Sequence, residues 1–208
     1  MFVVVEGPNG SGKTTLIRSL SSSGCKTLSS PNGTPLAKML RPACRGTGEW
    51  KDLDRVIKFM LFSAARYDEY IKLVHNSDKV VVADRWWTST YIYQCLLEGI
   101  DIKFLEQTIH PEEKIDLVVC LTGDKDILLN RMEEERKNNP SHGFCTWTED
   151  KKKFENIIDL YEELPIYLFK KDIRSLIVDT SEMDETEVFE VVSAEIKKIQ
   201  FEEETFNK

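Results

Sequence analysis

The sequence predicts an α/β protein with a parallel sheet covered by helices on both faces. Three observations predict it. Short β-branched runs at Phe2–Glu6, Lys79–Ala83, Ile115–Leu121 and Ser175–Asp179 read as buried parallel strands. Longer stretches with helical periodicity separate them, so strand and helix alternate along the chain. The first run passes through a glycine-rich turn straight into the helix-like segment Thr15-Leu16-Ile17-Arg18-Ser19-Leu20.

Taken in order, that first turn is the most specific signal. Gly7-Pro8-Asn9-Gly10-Ser11-Gly12-Lys13-Thr14 matches every fixed position of G-x-x-x-x-G-K-[ST]. Glycines let the backbone wrap a polyphosphate and aim N–H groups at it, and the next helix adds its positive end. Lys13 is expected to reach the β- and γ-phosphates and the Thr14 hydroxyl to complete a Mg²⁺ site. A weaker strand candidate lies at Cys25–Leu28. From Leu53, the apolar positions Val56, Ile57, Met60, Leu61, Ala64, Tyr67, Ile71 and Val74 follow one helical stripe. The strand Lys79–Ala83 ends in Asp84-Arg85, and ligands in parallel sheets sit beyond the carboxyl ends of the strands. The polar stretch Lys137–Thr148 interrupts two helices and reads as a lid.

The 208 residues are expected to form one domain, 1–208, with neither linker nor internal repeat. No apolar run has the length of a membrane span, and a signal peptide has no room before the first strand. Five scattered cysteines suggest neither disulfide framework nor zinc site, and a reducing, cytoplasmic setting is expected. The net charge of −8 argues against a general nucleic-acid binder, but a few arginines in a cleft can still hold a phosphorylated small molecule.

Asp84 is a candidate for the Mg²⁺ shell and Arg85 for a phosphate grip. Arginine, rather than a water-activating glutamate, after Asp84 tilts the reading from hydrolysis to transfer onto a phosphorylated acceptor. Phe62 and Arg66 are four apart and share a helix face, as a base-stacking ring and a carbonyl donor would. From spacing alone, Phe62 as core and Arg66 as a surface charge is the favoured reading. Ser89 and Tyr93 repeat the spacing, with Trp86 and Thr90 alongside, and packing is the commoner reason for such aromatics.

Together these segments resemble the thymidylate kinase family, from Phe2 to about Glu190. The carriers are Glu6–Thr15, Pro31–Arg41, Leu61-Phe62-Ser63-Ala64-Ala65-Arg66, and Asp84-Arg85-Trp86 followed by Ser89 and Tyr93. The resemblance implies a P-loop kinase three-layer fold: a five-stranded parallel sheet flanked by helices, with a short lid. It implies a homodimer that uses MgATP to phosphorylate dTMP. It also implies residue roles. Phe62 stacks on thymine, Arg66 binds its carbonyl, Arg85 holds the acceptor phosphate, and Asn9, Ser89 and Thr90 lie near the acceptor. Tyr93 fills the space below the sugar's 2′ position. ATP is held by Gly7, Asn9, Gly10, Ser11, Gly12, Lys13, Thr14 and Thr15, with Arg131 and Thr180 toward its far end. One branch of the family carries its catalytic arginine in the phosphate loop. Gly10 fills that slot here, which directs the search to the lid and to Arg136.

Three positions depart from the family pattern. Asn9 replaces an acidic residue, Ser29-Ser30 stand where an arginine usually precedes Pro31, and Trp86 replaces a smaller aromatic. Arg41 and Arg45 are the candidates to compensate for that arginine. A deoxynucleoside kinase, or a deoxynucleoside monophosphate kinase of broader specificity, is the alternative. The former needs a carboxylate base, and Glu6 is the candidate. A nucleotide-gated switch would carry D-x-x-G and N-K-x-D, and neither string occurs.

Overall fold

The computed structural model describes residues 1–138 and 151–206. Five parallel strands, β1 (Phe2–Glu6), β2 (Lys26–Ser29), β3 (Val81–Asp84), β4 (Leu117–Thr122) and β5 (Ser175–Asp179), form one sheet in the order β2-β3-β1-β4-β5. The helices are α1 (Lys13–Ser22), α2 (Pro35–Arg45), α3 (Arg55–Glu69), α4 (Trp87–Thr90), α5 (Ile102–Thr108), α6 (Lys125–Asn138), α7 (Lys151–Lys170) and α8 (Glu185–Phe206). A π-helical turn extends α3 through Tyr70–Val74, and another extends α4 through Tyr91–Leu97.

The expected strands are all present, and β1 and β5 fall on the expected residues. β3 and β4 start two residues later than their apolar runs, because the ladder begins where β1 does, at Phe2↔Val81 and Val3↔Leu117. β1 reads as unbroken apolar sequence because it is covered twice. Phe2 and Val4 join the side built on Phe59, Trp86, Trp87, Ile92 and Tyr161. Val3 and Val5 join the side built on Leu16, Leu20, Val188, Val192 and Ile196. Each such buried side chain contributes about 1.5–3 kcal/mol of transfer free energy.

Register sets the site. Val5 pairs with Asp84, Ser29 with Asp84, Glu6 with Cys120 and Thr122 with Asp179, so the strand ends share one edge. The stripe read on α3 is not the helix's buried face: Val56, Ile57, Met60, Tyr67 and Ile71 are exposed, and Phe59, Ala65, Arg66 and Glu69, outside the stripe, are buried. Of the lid expected at 137–148, Lys137 and Asn138 end α6 and the remainder lies outside the described residues, as does the Arg136 side chain.

Candidate active site

The phosphate loop joins β1 to α1 through Gly12, the N-cap, in the left-handed conformation. Gly10 is also left-handed, at φ +80, and a Cβ there would come within 2.5 Å of the Leu128 carbonyl oxygen on α6. Only glycine meets both demands. An arginine could not occupy this slot with α6 in place, which is the physical counterpart of Gly10 in the sequence. Lys13 is buried and donates through Nζ to the Pro8 carbonyl at 2.7 Å. Burial, with the nearby Arg85 charge, lowers its pKa to about 7.

Arg85 follows β3 with φ +69, a conformation costing a non-glycine residue roughly 1–2 kcal/mol. Its amide donates to the Val5 carbonyl at 3.1 Å, fastening the turn to β1. The guanidinium donates to Ser89 Oγ at 3.3 Å, to Asn9 Oδ1 at 3.2 Å and to the Tyr161 hydroxyl. It lies 3.6 Å from Glu6 Oε2 and 5.5 Å from the Tyr93 ring centroid. Glu6 is fully buried. Its carboxylate accepts from the Trp86 amide, Thr88 Oγ1, Ser89 Oγ and the Tyr161 hydroxyl. Asp84, beside the loop, has a buried Oδ1 with no hydrogen-bond partner among the described residues.

Across the cavity, Phe62 is half-buried on α3 and Arg66 is buried one turn later. Arg66 Nε pairs with Glu113 at 3.0 Å and Nη2 donates to the Thr108 carbonyl at 3.1 Å. Nη1 is buried and unpartnered among the described residues. An unsatisfied guanidinium N–H is costly, so beyond its buried ion pair with Glu113 this arginine keeps one donor available to a ligand. At the opposite end, Arg131 on α6 donates to Thr180 Oγ1 at 3.3 Å and to the Thr180 carbonyl at 3.0 Å. Thr180 Oγ1 in turn donates to the Thr122 carbonyl at 3.0 Å, tying the turn after β5 to β4.

One cavity of about 970 Å³ gathers these groups. It is lined by Asn9–Thr15 of the loop, by Phe62, Arg66, Asp84, Arg85, Ser89, Thr90 and Tyr93, and by Arg131 and Thr180. Among the expected site residues whose side chains are described, Gly7 alone is not on its wall. Gly7 lies buried under the loop, where a Cβ would meet the Leu121 carbonyl oxygen at 2.5 Å.

Of the other lining or supporting residues, Arg41 and Arg45 are the candidates named from the sequence, and the rest carried no signal there. Glu69 accepts from the amides of Asn32 and Gly33, at 2.8 and 2.5 Å, and from Ser30 Oγ at 2.5 Å. It therefore shapes the loop after β2 where the family has its arginine. Arg41 donates to the Pro31 carbonyl at 2.9 Å and lines the cavity, as do Arg45, Lys51 and Lys58. Glu135, one turn beyond Arg131, also faces it. Glu69, Lys51 and Lys58 lie far in the chain from the segments they meet, and no local spacing announces that meeting.

A family model described as thymidylate kinase matches residues 5–196. Thymidylate kinase from Mycoplasma pneumoniae is 30% identical over 153 residues, covering 67% of this chain and 71% of its own. The Staphylococcus haemolyticus enzyme is 28% identical over 159 residues, covering 69% and 77%. Among solved structures, the fold is similar to thymidylate kinase from Ehrlichia chaffeensis, with TM-score 0.63, 22% identity and coverage of 93% and 98%. It is also similar to that from Candida albicans, with TM-score 0.69, 19% identity and coverage of 96% and 92%. A glycine loop with its lysine, an arginine facing it across one cavity and this span of matching sequence lead to one assignment: the chain belongs to the thymidylate kinase family, ATP-dependent phosphotransferases of the P-loop fold.

Proposed function

We propose that this enzyme transfers the γ-phosphoryl group of ATP to dTMP, giving dTDP and ADP, with the two nucleotides entering the cavity from opposite ends. The observation that carries the acceptor assignment is the buried, unpaired Nη1 of Arg66 beside Phe62. A pyrimidine stacked on Phe62 would offer a carbonyl oxygen to that nitrogen. Arg85 would hold the acceptor phosphate, Asn9, Ser89 and Thr90 would line the nucleotide, and Tyr93 would close the space below the sugar's 2′ position. The glycine loop, Lys13, Thr14 and Thr15 would hold the triphosphate, with Arg131 and Thr180 toward adenine.

The acceptor oxygen is already ionised at neutral pH and needs no base. It attacks Pγ while the bond from Pγ to the β-phosphate oxygen breaks, so charge moves without a proton transfer. Lys13 follows the transferred group and Arg85 neutralises the acceptor, and alignment supplies much of the rate. Arg136 is the lid arginine in this reading. The Thr14 hydroxyl and Asp84, with its unpartnered buried Oδ1, fit a Mg²⁺ ion. When bound, Mg²⁺ would offset the charge on the ATP oxygens.

Glu6 bears on the nucleoside-kinase alternative. Its carboxylate is fully buried and already accepts from four donors, so it is placed to hold the turn after β3 rather than to take a proton. No helix among the described residues is long and apolar enough to cross a membrane. The scattered cysteines, with no spacing for a disulfide framework, support a cytoplasmic setting in this reading. The reading includes a homodimer, supported by the exposed apolar face of α3. The test is ATP consumption measured across deoxy- and ribonucleoside monophosphates, with thymidine included. dTMP should be the fastest acceptor and thymidine inactive; preference for thymidine would overturn the reading.

A further inference from the structure

We infer that Tyr161 is a positioning residue for the acceptor phosphate: its hydroxyl, carried on α7, braces the Arg85 guanidinium against Glu6. The inference rests on the reading that Arg85 grips that phosphate.

Tyr161 is 3% exposed and lies far from the β3 turn in sequence. Its oxygen accepts from Arg85 Nη1 and donates to Glu6 Oε2 at 3.2 Å. The phenol thus bridges a cation and a carboxylate that are themselves 3.6 Å apart. Burial holds the phenol well above its usual pKa, so the proton it donates is retained. Glu6 has three other donors and does not depend on this hydroxyl for satisfaction.

The remaining partners of Arg85 are weaker constraints. Asn9 and Ser89 are neutral and sit at 3.2 and 3.3 Å. A carboxylate at position 9 would pin the guanidinium by charge; an amide does not. The hydroxyl of Tyr161 therefore does a share of the orienting that charge would otherwise do. Its ring is fixed edge-on to Tyr93 at 6.3 Å and 77°, and Arg85 lies over that same Tyr93 ring. Around it, Ile157, Leu164 and Leu168 anchor α7 in the core. The start of α7 packs on α6 through Phe154, Ile158, Leu128, Leu129 and Met132. The helix that positions the acceptor arginine is thus packed on the helix that bears Arg131.

The experiment compares binding of dTMP and thymidine to the full chain by calorimetry, for the wild type and Tyr161→Phe. The substitution removes one oxygen and keeps the ring contacts. Losing a hydrogen bond to a charged group should weaken dTMP about tenfold. Thymidine, which has no phosphate, should be held within about twofold of wild type and so reports that the pocket is folded. An unchanged ratio of the two affinities overturns the inference. Equal weakening of both also overturns it, since Tyr161 would then merely support the pocket. A wild-type enzyme that binds the two ligands alike would instead remove the phosphate site at Arg85, a separate failure visible before any variant is made.

Discussion

At the scale of single residues, Lys13 shows how the loop stores electrostatic work. Burial and the neighbouring Arg85 charge disfavour its ammonium form and bring the pKa to about 7. A triphosphate would supply the missing counter-charge and raise that pKa toward the ordinary lysine value of about 10.4. The sign follows. Below about pH 7 the ammonium is present with or without nucleotide, so no proton moves. Above it, the free enzyme has lost a proton that the complex holds, so binding takes one up and affinity falls as pH rises. Calorimetry of ATP binding at about pH 8, in buffers of different ionisation heat, should show uptake approaching about one proton per site. Lys13→Met should abolish the uptake along with phosphoryl transfer; uptake unchanged in the variant would assign the proton elsewhere. Lys13, Phe62, Arg66 and Arg85 were legible because each sits in a short motif. Glu113, Glu69 and Tyr161 were not, because the partners they serve lie 47, 36–39 and 76 or more residues away.

Between elements, the geometry turns on close approach of backbone to backbone. Gly10 presses against the Leu128 carbonyl, so the phosphate loop and α6 meet with no room for a side chain. A sequence motif marks Gly10 as permissive, yet it cannot reveal which element crowds it. Gly10→Arg places a guanidinium in the loop slot used by the other branch of the family. Here it should displace α6 and add left-handed strain, costing about 1–3 kcal/mol or more. For a chain of this size that corresponds to a melting-temperature drop of roughly 5 °C, with activity lost rather than gained. A variant as stable as the parent and fully active would show that α6 yields freely. The strands were more readable than this contact. β1 ends at the glycine turn and β5 lies between Arg174 and Thr180, whereas β3 and β4 begin where their neighbour's register allows rather than where their apolar runs begin.

For the whole molecule, α3 links the cavity to the outside. Phe62 and Arg66 face inward, while Val56, Ile57, Met60, Tyr67 and Ile71 are 37–52% exposed, with Met39 of α2 at 69%. Periodicity correctly marked an apolar stripe, but periodicity records only that a face is apolar and says nothing of what covers it. An apolar face of this extent on an otherwise strongly charged chain fits a second copy, whose own α3 would make the contact self-complementary. Met60→Glu places a charge at the middle of that face without touching the cavity. Sedimentation should show the parent at twice the chain mass and the variant at the chain mass. Because the opposite face of the same helix carries Phe62 and Arg66, the monomer should also bind dTMP several-fold more weakly. A parent chain that sediments as a monomer at micromolar concentration would sink the dimer reading. A monomeric variant with full dTMP affinity would show that α3 holds its inner face without help from a partner.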